Sequence, residues 1–393
     1  MVKPGQVVTV KSNQTVSWSG SSPSGKVTAV GTSSSDQQWQ ARLANANLGA
    51  TEDYPLVATA SSGQTTTVRL KVRAGDSRNG KFMAFVSNGS RQQLKADFDL
   101  GSVEFVDAAG LSSNGTIVAP AAGSKAYGIL STRELTAPRV SGFQILGDMW
   151  VGSFPFPVPG ASPVTYAPYP FVASRALITA AADLDGTYNR FRVNYSGGTK
   201  SSVVGQIQLA GSGSRFVGCN ELSATRVDDC PTASLTAANL VADPVTPGMW
   251  LVTDAAKTVQ GRVAVTRIGT EKVLLIAGPS GIDPSNSQFS VGLQEQSTWV
   301  GFNNSFGWSS LGSSDQSTAD LSTYVLRSAS SAGTGELSVS FSTLPAPSPQ
   351  GLSLGYTPGG NYFLGRSQQL EVMIGSSGSA NTTGFFHIGV ISN

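Results

Sequence analysis

A chain of 393 residues exceeds the usual domain size of ~100–200 residues, so two domains are expected. Apolar residues make up 39% and charged residues only 13%, with a net charge of +2. That excludes a disordered polyelectrolyte and leaves Gly, Ser and Thr to solvate the surface, as suits an exported protein.

In chain order, strand patterns dominate. Val7-Val8-Thr9-Val10 and Thr15-Val16-Ser17-Trp18 open the chain. Thr67-Val68-Arg69-Leu70-Lys71-Val72-Arg73 alternates strictly and precedes a turn-like Ala74-Gly75-Asp76-Ser77-Arg78-Asn79-Gly80. Lys81-Phe82-Met83-Ala84-Phe85-Val86 follows, so a hairpin is predicted, with Val68, Leu70 and Val72 on one face. Short helical turns are predicted over 36–48 and 232–241. Further strands are predicted over 205–209, 214–217, 249–252, 262–268, 272–277, 337–341, 370–374 and 385–391.

Pro155, Pro157, Pro159, Pro163, Pro168 and Pro170 interrupt residues 152–170, with Phe154, Phe156, Tyr166 and Tyr169 between them. Proline has no amide hydrogen for a sheet ladder, so this stretch reads as a polyproline-like strap over 151–170. The expected fold is therefore all-β. Two antiparallel domains, 1–150 and 171–393, flank the strap, each a sandwich or a barrel.

Cys219 and Cys230 are the only cysteines. Their spacing is not CxxC, and a single histidine cannot complete a zinc site, so a structural disulfide closing a short loop is expected. Met1-Val2-Lys3-Pro4-Gly5 runs directly into a strand pattern. A chain whose leader has been removed would begin this way, and so would a virion protein that needs no leader. No run approaches the ~18 consecutive apolar residues of a membrane-crossing helix.

From Tyr169-Pro170-Phe171 onward the chain resembles a family of uncharacterised exported lipoproteins of Gram-negative bacteria, the domain of unknown function 2957. The resemblance rests on Leu184-Asp185-Gly186-Thr187-Tyr188-Asn189, on the Cys219/Cys230 pair and on the terminal Phe385-Phe386-His387-Ile388-Gly389-Val390. It implies residence at the cell surface, outside the cell or in the periplasm, and it supplies no catalytic residues. The family's lipid-bearing N-terminal Cys has no counterpart here, which leaves a lipid anchor on the native precursor open.

Few residues point to chemistry. His387 lies mid-strand among Phe385, Phe386 and Ile388, the sequence has no G-x-S-x-G elbow, and the histidine reads as structural. The carboxylate pairs Asp183/Asp185, Asp228/Asp229, Asp97/Asp99 and Glu52/Asp53 keep a glycan hydrolase as an alternative, but no catalytic residue is assigned. Asp183-Leu184-Asp185-Gly186 lacks the further ligands of a calcium loop, so no metal or cofactor is expected. Arg69, Lys71 and Arg73 form a basic stripe that reads as a charged edge strand, without a nucleic-acid partner.

The densest aromatic stretch is 299–308. There Trp299, Phe302, Phe306 and Trp308 alternate with Gly301, Asn303, Asn304 and Gly307. Rings stack on sugars and amides bond hydroxyls, so Trp299, Phe302, Asn303, Asn304, Phe306 and Trp308 are the candidate binding residues, on a loop that lifts some rings, Trp308 among them, out of the core; a core-filling strand pair with a tight turn explains the same residues. The expected function is binding or assembly without catalysis, toward a glycan or another surface β-protein. A barrel carrying a small apolar ligand is the third reading.

Overall fold

The computed structural model describes residues 1–20, 27–35, 37–45, 50–134, 140–196, 199–219, 225–279, 286–296, 301–330, 333–344, 348–376 and 382–392. It is almost entirely antiparallel sheet. Among the described residues, helix is limited to the 3-10 turns Ala181–Asp183, Val227–Asp229 and Thr232–Ser234. The helical turn predicted over 36–48 is instead the strand Gln38–Asn45, and that over 232–241 continues from its 3-10 turn into the strand Leu235–Ala242.

The chain forms two compact units. One comprises Met1–Lys81 with Lys95–Glu104, the other Phe82–Leu94 with Phe105–Asn393. A boundary therefore falls near residue 81, not at the 151–170 stretch.

In the first unit, two three-stranded sheets share a core of Trp39, Leu43, Tyr54, Leu56 and Val72. The hairpin predicted across residues 74–80 does not form. Thr65–Val72 pairs with Glu52–Ala60, whereas Gly80–Val86 joins a barrel and pairs with Tyr166–Ser174. Residues 74–79 instead fold on themselves: Asp76 accepts from the Arg78 amide and guanidinium, and its carbonyl accepts from Asn79 N–H.

The remaining strands form three closed eight-stranded barrels, each an up-and-down meander in chain order. The first runs from Gly80–Val86 to Tyr166–Ser174, the second from Gly186–Ser196 to Asn286–Gln294, the third from Phe302–Ser309 to Phe386–Ile391. Closure pairs first strand with last, Arg190 opposite Gly292 in the second barrel and Gly307 opposite Gly389 in the third. Closure leaves no open sheet edge to attract another strand.

The proline-rich stretch is not a strap. Met149–Pro157 and Tyr166–Ser174 form a paired hairpin with Pro155 opposite Pro168. Outer neighbours reach only part of it. Gly142–Leu146 pairs with residues 149–153, and Gly80–Val86 pairs with residues 171–174. Pro155, Pro157 and Pro168 lie on the part of the hairpin that projects beyond these neighbours, where an absent amide hydrogen costs no ladder bond.

Alternation along each strand gives the barrels two apolar faces. Inward, Tyr188, Leu209, Phe216, Trp250 and Leu274 fill one end of the second barrel, and Tyr324, Val339, Phe341, Leu364 and Met373 fill the third. The first is packed with rings: Phe143 stacks on Trp150 at 4.2 Å and Phe105 on Phe154 at 4.5 Å.

Outward, Val151 and Val172 of the first barrel, Phe191 and Phe289 of the second, and Val372 and Ile388 of the third meet in one shared core. Phe191 sits against Gly365, where an added Cβ would fall 2.3 Å from the ring. Hydrogen bonds tie all three contacts: Ser174 to Thr266 at 2.7 Å, Trp308 Nε1–H to Val140 O at 2.9 Å, and Asn189 Nδ2–H to Gln350 O at 2.7 Å.

Candidate functional site

A cleft of about 840 Å³ lies where the first and second barrels meet. One wall is the turn between Gly80–Val86 and Arg91–Asp97. Asn88-Gly89 is a strong tight-turn dipeptide because both residues tolerate positive φ. Gly89 has φ +84°, and its N–H bonds Val86 O at 2.9 Å. Asn88 Oδ1 accepts from Ser90 N–H, and Asn88 Nδ2–H reaches across to Pro157 O at 3.0 Å. An added Cβ on Gly89 would lie 2.6 Å from Ser287 Oγ of the second barrel, so the turn requires glycine twice over.

The facing wall carries Asp243. Its carboxylate accepts Val245 N–H at 2.9 Å and Arg262 Nε–H at 3.2 Å. Burial alone would raise its pKa; the Val245 amide and the Arg262 guanidinium overcome this and hold it below the usual carboxylate value. A carboxyl so held is an anion at neutral pH and cannot serve as the protonated acid of a glycosidase.

Arg91 projects between the walls, beside Gly278, whose added Cβ would lie 3.4 Å from Nε. Burial and Arg262 lower its pKa, and Asp243 opposes them. Asp107, also on the cleft, is engaged by the amides of Ala109 and Leu111. The cleft thus holds two guanidiniums and two carboxylates, of which Arg262 and Asp243 are paired. Around them it presents the amides of Gln92 and Gln93, the hydroxyls of Ser90 and Thr246, and the ring faces of Pro157 and Pro159.

The aromatic stretch is placed differently. Phe302–Ser309 is a barrel strand rather than a loop. Trp308 is 1% exposed and Phe302 4% exposed, which corrects the expectation that Trp308 is open to solvent. Trp308 anchors the first barrel to the third, and Phe306 packs edge-on against it at 5.2 Å. Only Asn303 and Asn304 are exposed, and Trp299 lies outside the described residues.

His387 is fully buried inside the third barrel. Its Nδ1 meets Asp315 at 2.9 Å and its Nε2 meets Glu371 at 3.3 Å. Ser313 Oγ donates to Asp315 at 2.6 Å and Ser317 Oγ donates to Glu371, so neither hydroxyl is bonded to the imidazole that would have to activate it. Burial would lower the His387 pKa, but the bonds to Asp315 and Glu371 raise it to about 9. This is a charged structural network filling a barrel.

The acidic pairs are also occupied. Asp185 accepts the Ser212 and Gly213 amides, Asp183 pairs with Arg267, Asp99 accepts Asp76 N–H, and Asp53 faces Arg69 at 3.9 Å. Arg69 and Lys71 of the basic stripe lie on Thr65–Val72, the outermost strand of its sheet, and Arg73 follows its end; all three are exposed. Cys219 and Cys230 form the expected disulfide.

Sequence reasoning missed Arg91, Asp243 and Arg262, which lie up to about 170 positions apart and share no motif. The only local signal was Asn88-Gly89, which marks the turn but not what faces it. No protein-family model matches the chain, and no curated protein matches it. No helix among the described residues is long and apolar enough to cross a membrane.

Proposed function

We propose that this protein is an exported binding protein whose cleft between the first and second barrels takes a neutral, hydroxyl-rich ligand of the saccharide class. The carrying observation is the composition of the cleft. Its two guanidiniums are equalled in number by two carboxylates, with Arg262 bonded to Asp243, and the rest of its polar side chains are amide and hydroxyl. Balanced charge gives little attraction for ions, whereas Arg–Asp pairs and amides supply paired donors and acceptors for vicinal hydroxyls. Proline rings supply apolar faces for the C–H side of a pyranose, without the aromatic platform expected at residues 299–308.

Export is supported by the Cys219–Cys230 disulfide, since such bonds persist in oxidising compartments. It is supported as well by the low ionic content of the surface and by the resemblance to exported lipoproteins. The apolar clusters inside the second and third barrels are closed by their own side chains, which weighs against the apolar-ligand carrier. Asp243, held as an anion by Arg262 and the Val245 amide, does not supply the acid a glycan hydrolase needs.

A glycan array probed with the wild type and with Arg91→Ala tests the reading. Binding of one saccharide class, weakened in the variant at unchanged melting temperature, supports it. Binding unaffected by Arg91→Ala, or no saccharide binding at all, overturns it.

A further inference from the structure

The second barrel has a polar half that its apolar core does not explain. Alternate residues of a strand share a face, so Arg190, Arg192 and Asn194 point into the lumen with Tyr188 of the interior core. Opposite Arg190 stand Gly205 and Gly292, on its two neighbouring strands. Neither position carries a side chain, and it is Leu274 and Tyr188 that pack closest against Gly292. Opposite Arg192 stand Val203 and Ser290, and opposite Asn194 stand Ser201 and Gln288.

Arg190 is only 6% exposed. Among the described residues neither Arg190 nor Arg192 enters an ion pair. The buried Nε atoms of both arginines, Ser290 Oγ and Gln288 Oε1 have no hydrogen-bond partner. Burial and then the neighbouring Arg192 pull the Arg190 pKa well down, with no carboxylate opposing them. Burial lowers that of Arg192 as well.

A buried cation without a counter-charge costs several kcal/mol, and two on one strand face repel each other besides. Structural arginines are normally matched by carboxylates, as Arg262 is by Asp243 in this same barrel. Two guanidinium forks, a hydroxyl donor and an amide on the lumen face of two neighbouring strands supply what a doubly charged tetrahedral oxyanion requires. Exposure rises along the strand from buried Arg190 through half-buried Asn194 to exposed Ser196, so the polar half is the end nearer solvent.

We propose that the polar half of the second barrel's lumen binds a small phosphate-class oxyanion, clamped by Arg190 and Arg192 and donated to by Ser290. Gln288 Oε1 can accept the proton of a hydrogen phosphate, which sulfate lacks, so phosphate should bind more tightly than sulfate. None of these four residues lines the cleft, although Gln288 lies opposite Gly278 and beside Ser287, which do; the proposal does not depend on the saccharide reading.

The test is calorimetric titration of the intact protein with inorganic phosphate, and with sulfate. Thermal unfolding in phosphate is compared with unfolding in chloride at matched ionic strength. The expected result is a single saturable phosphate site and a raised melting temperature. In Arg192→Gln, which removes the more accessible guanidinium, and in Ser290→Ala, binding should weaken about tenfold or more, as expected for a lost charge-assisted hydrogen bond. Arg190→Gln reads the buried fork if it folds; the other two variants carry the test if it does not. Phosphate raising the melting temperature of wild type and Arg192→Gln equally would be a general salt effect and would overturn the proposal. So would the absence of calorimetric binding up to roughly 10 mM phosphate, a concentration range that covers millimolar affinity.

Discussion

At the scale of single residues, burial decides which polar groups work on stability and which can meet a ligand. His387 bridges Asp315 and Glu371 with no exposure, so replacing it leaves two buried carboxylates uncompensated. His387→Gln should cost on the order of 3–5 kcal/mol, read by urea unfolding. Its pKa is raised to about 9 in the fold, above an ordinary value near 6.5. The stabilisation it brings is therefore complete below about pH 6.5 and lost as pH rises through about 9. Melting temperature should fall over that window in the wild type, and the fall should be absent in His387→Gln. A wild-type profile flat from pH 6.5 to 9 would contradict the charged network.

Trp308 follows the same logic without charge. It is 1% exposed and its Nε1–H holds Val140 O. Trp308→Ala should cost roughly 3–5 kcal/mol of folding free energy. A variant of wild-type stability that had lost ligand binding would return Trp308 to the surface.

Within elements, most strands were legible because alternation of apolar and polar residues is the direct signature of a sheet with two distinct faces. Val7–Lys11, Val259–Ile268, Glu271–Pro279 and Leu370–Gly375 all contain the stretches expected from the pattern. Two things were not legible. Proline argues against a flanked strand, but Pro155 and Pro168 oppose each other on the part of a hairpin that no third strand flanks, and sequence alone does not show where flanking strands stop. Nor does alternation say which face of a barrel strand is inside. Arg190 and Arg192 alternate with Phe191 and Val193 as an ordinary solvent face would, yet Phe191 and Val193 pack between barrels while the arginines point into the lumen. The candidate site was less legible still, because 299–308 was chosen for aromatic density and that density serves barrel packing.

The turn at Gly89 and the disulfide each carry a prediction at this scale. Gly89→Val places a side chain in a left-handed conformation and against Ser287, so it should destabilise by about 1–3 kcal/mol and disturb the cleft wall. Unfolding and ligand titration of the same variant would show both effects. The Cys219–Cys230 bond closes a loop of separation 11, and Cys230→Ser should cost about 2–3 kcal/mol. Equal unfolding midpoints with and without reductant would contradict that contribution.

At the scale of the molecule, the three barrels are not beads on a string. Their outward faces share one core, with Val151 and Val172, Phe191 and Phe289, and Val372 and Ile388 contributed by the three in turn. A fragment holding only the second barrel would expose Phe191, Phe289 and their neighbours and should aggregate. The shared packing also forms the cleft, since the turn at Asn88-Gly89 belongs to one barrel and Asp243 and Arg262 to another. A ligand held there would contact both and stabilise the pair by mass action. Hydrogen exchange of the protein, free and saturated with a saccharide that binds it, addresses this directly. The account predicts slowed exchange in residues 87–93 and 243–246 and unchanged exchange in 302–309; protection confined to 302–309, or none in the two cleft segments, would contradict it.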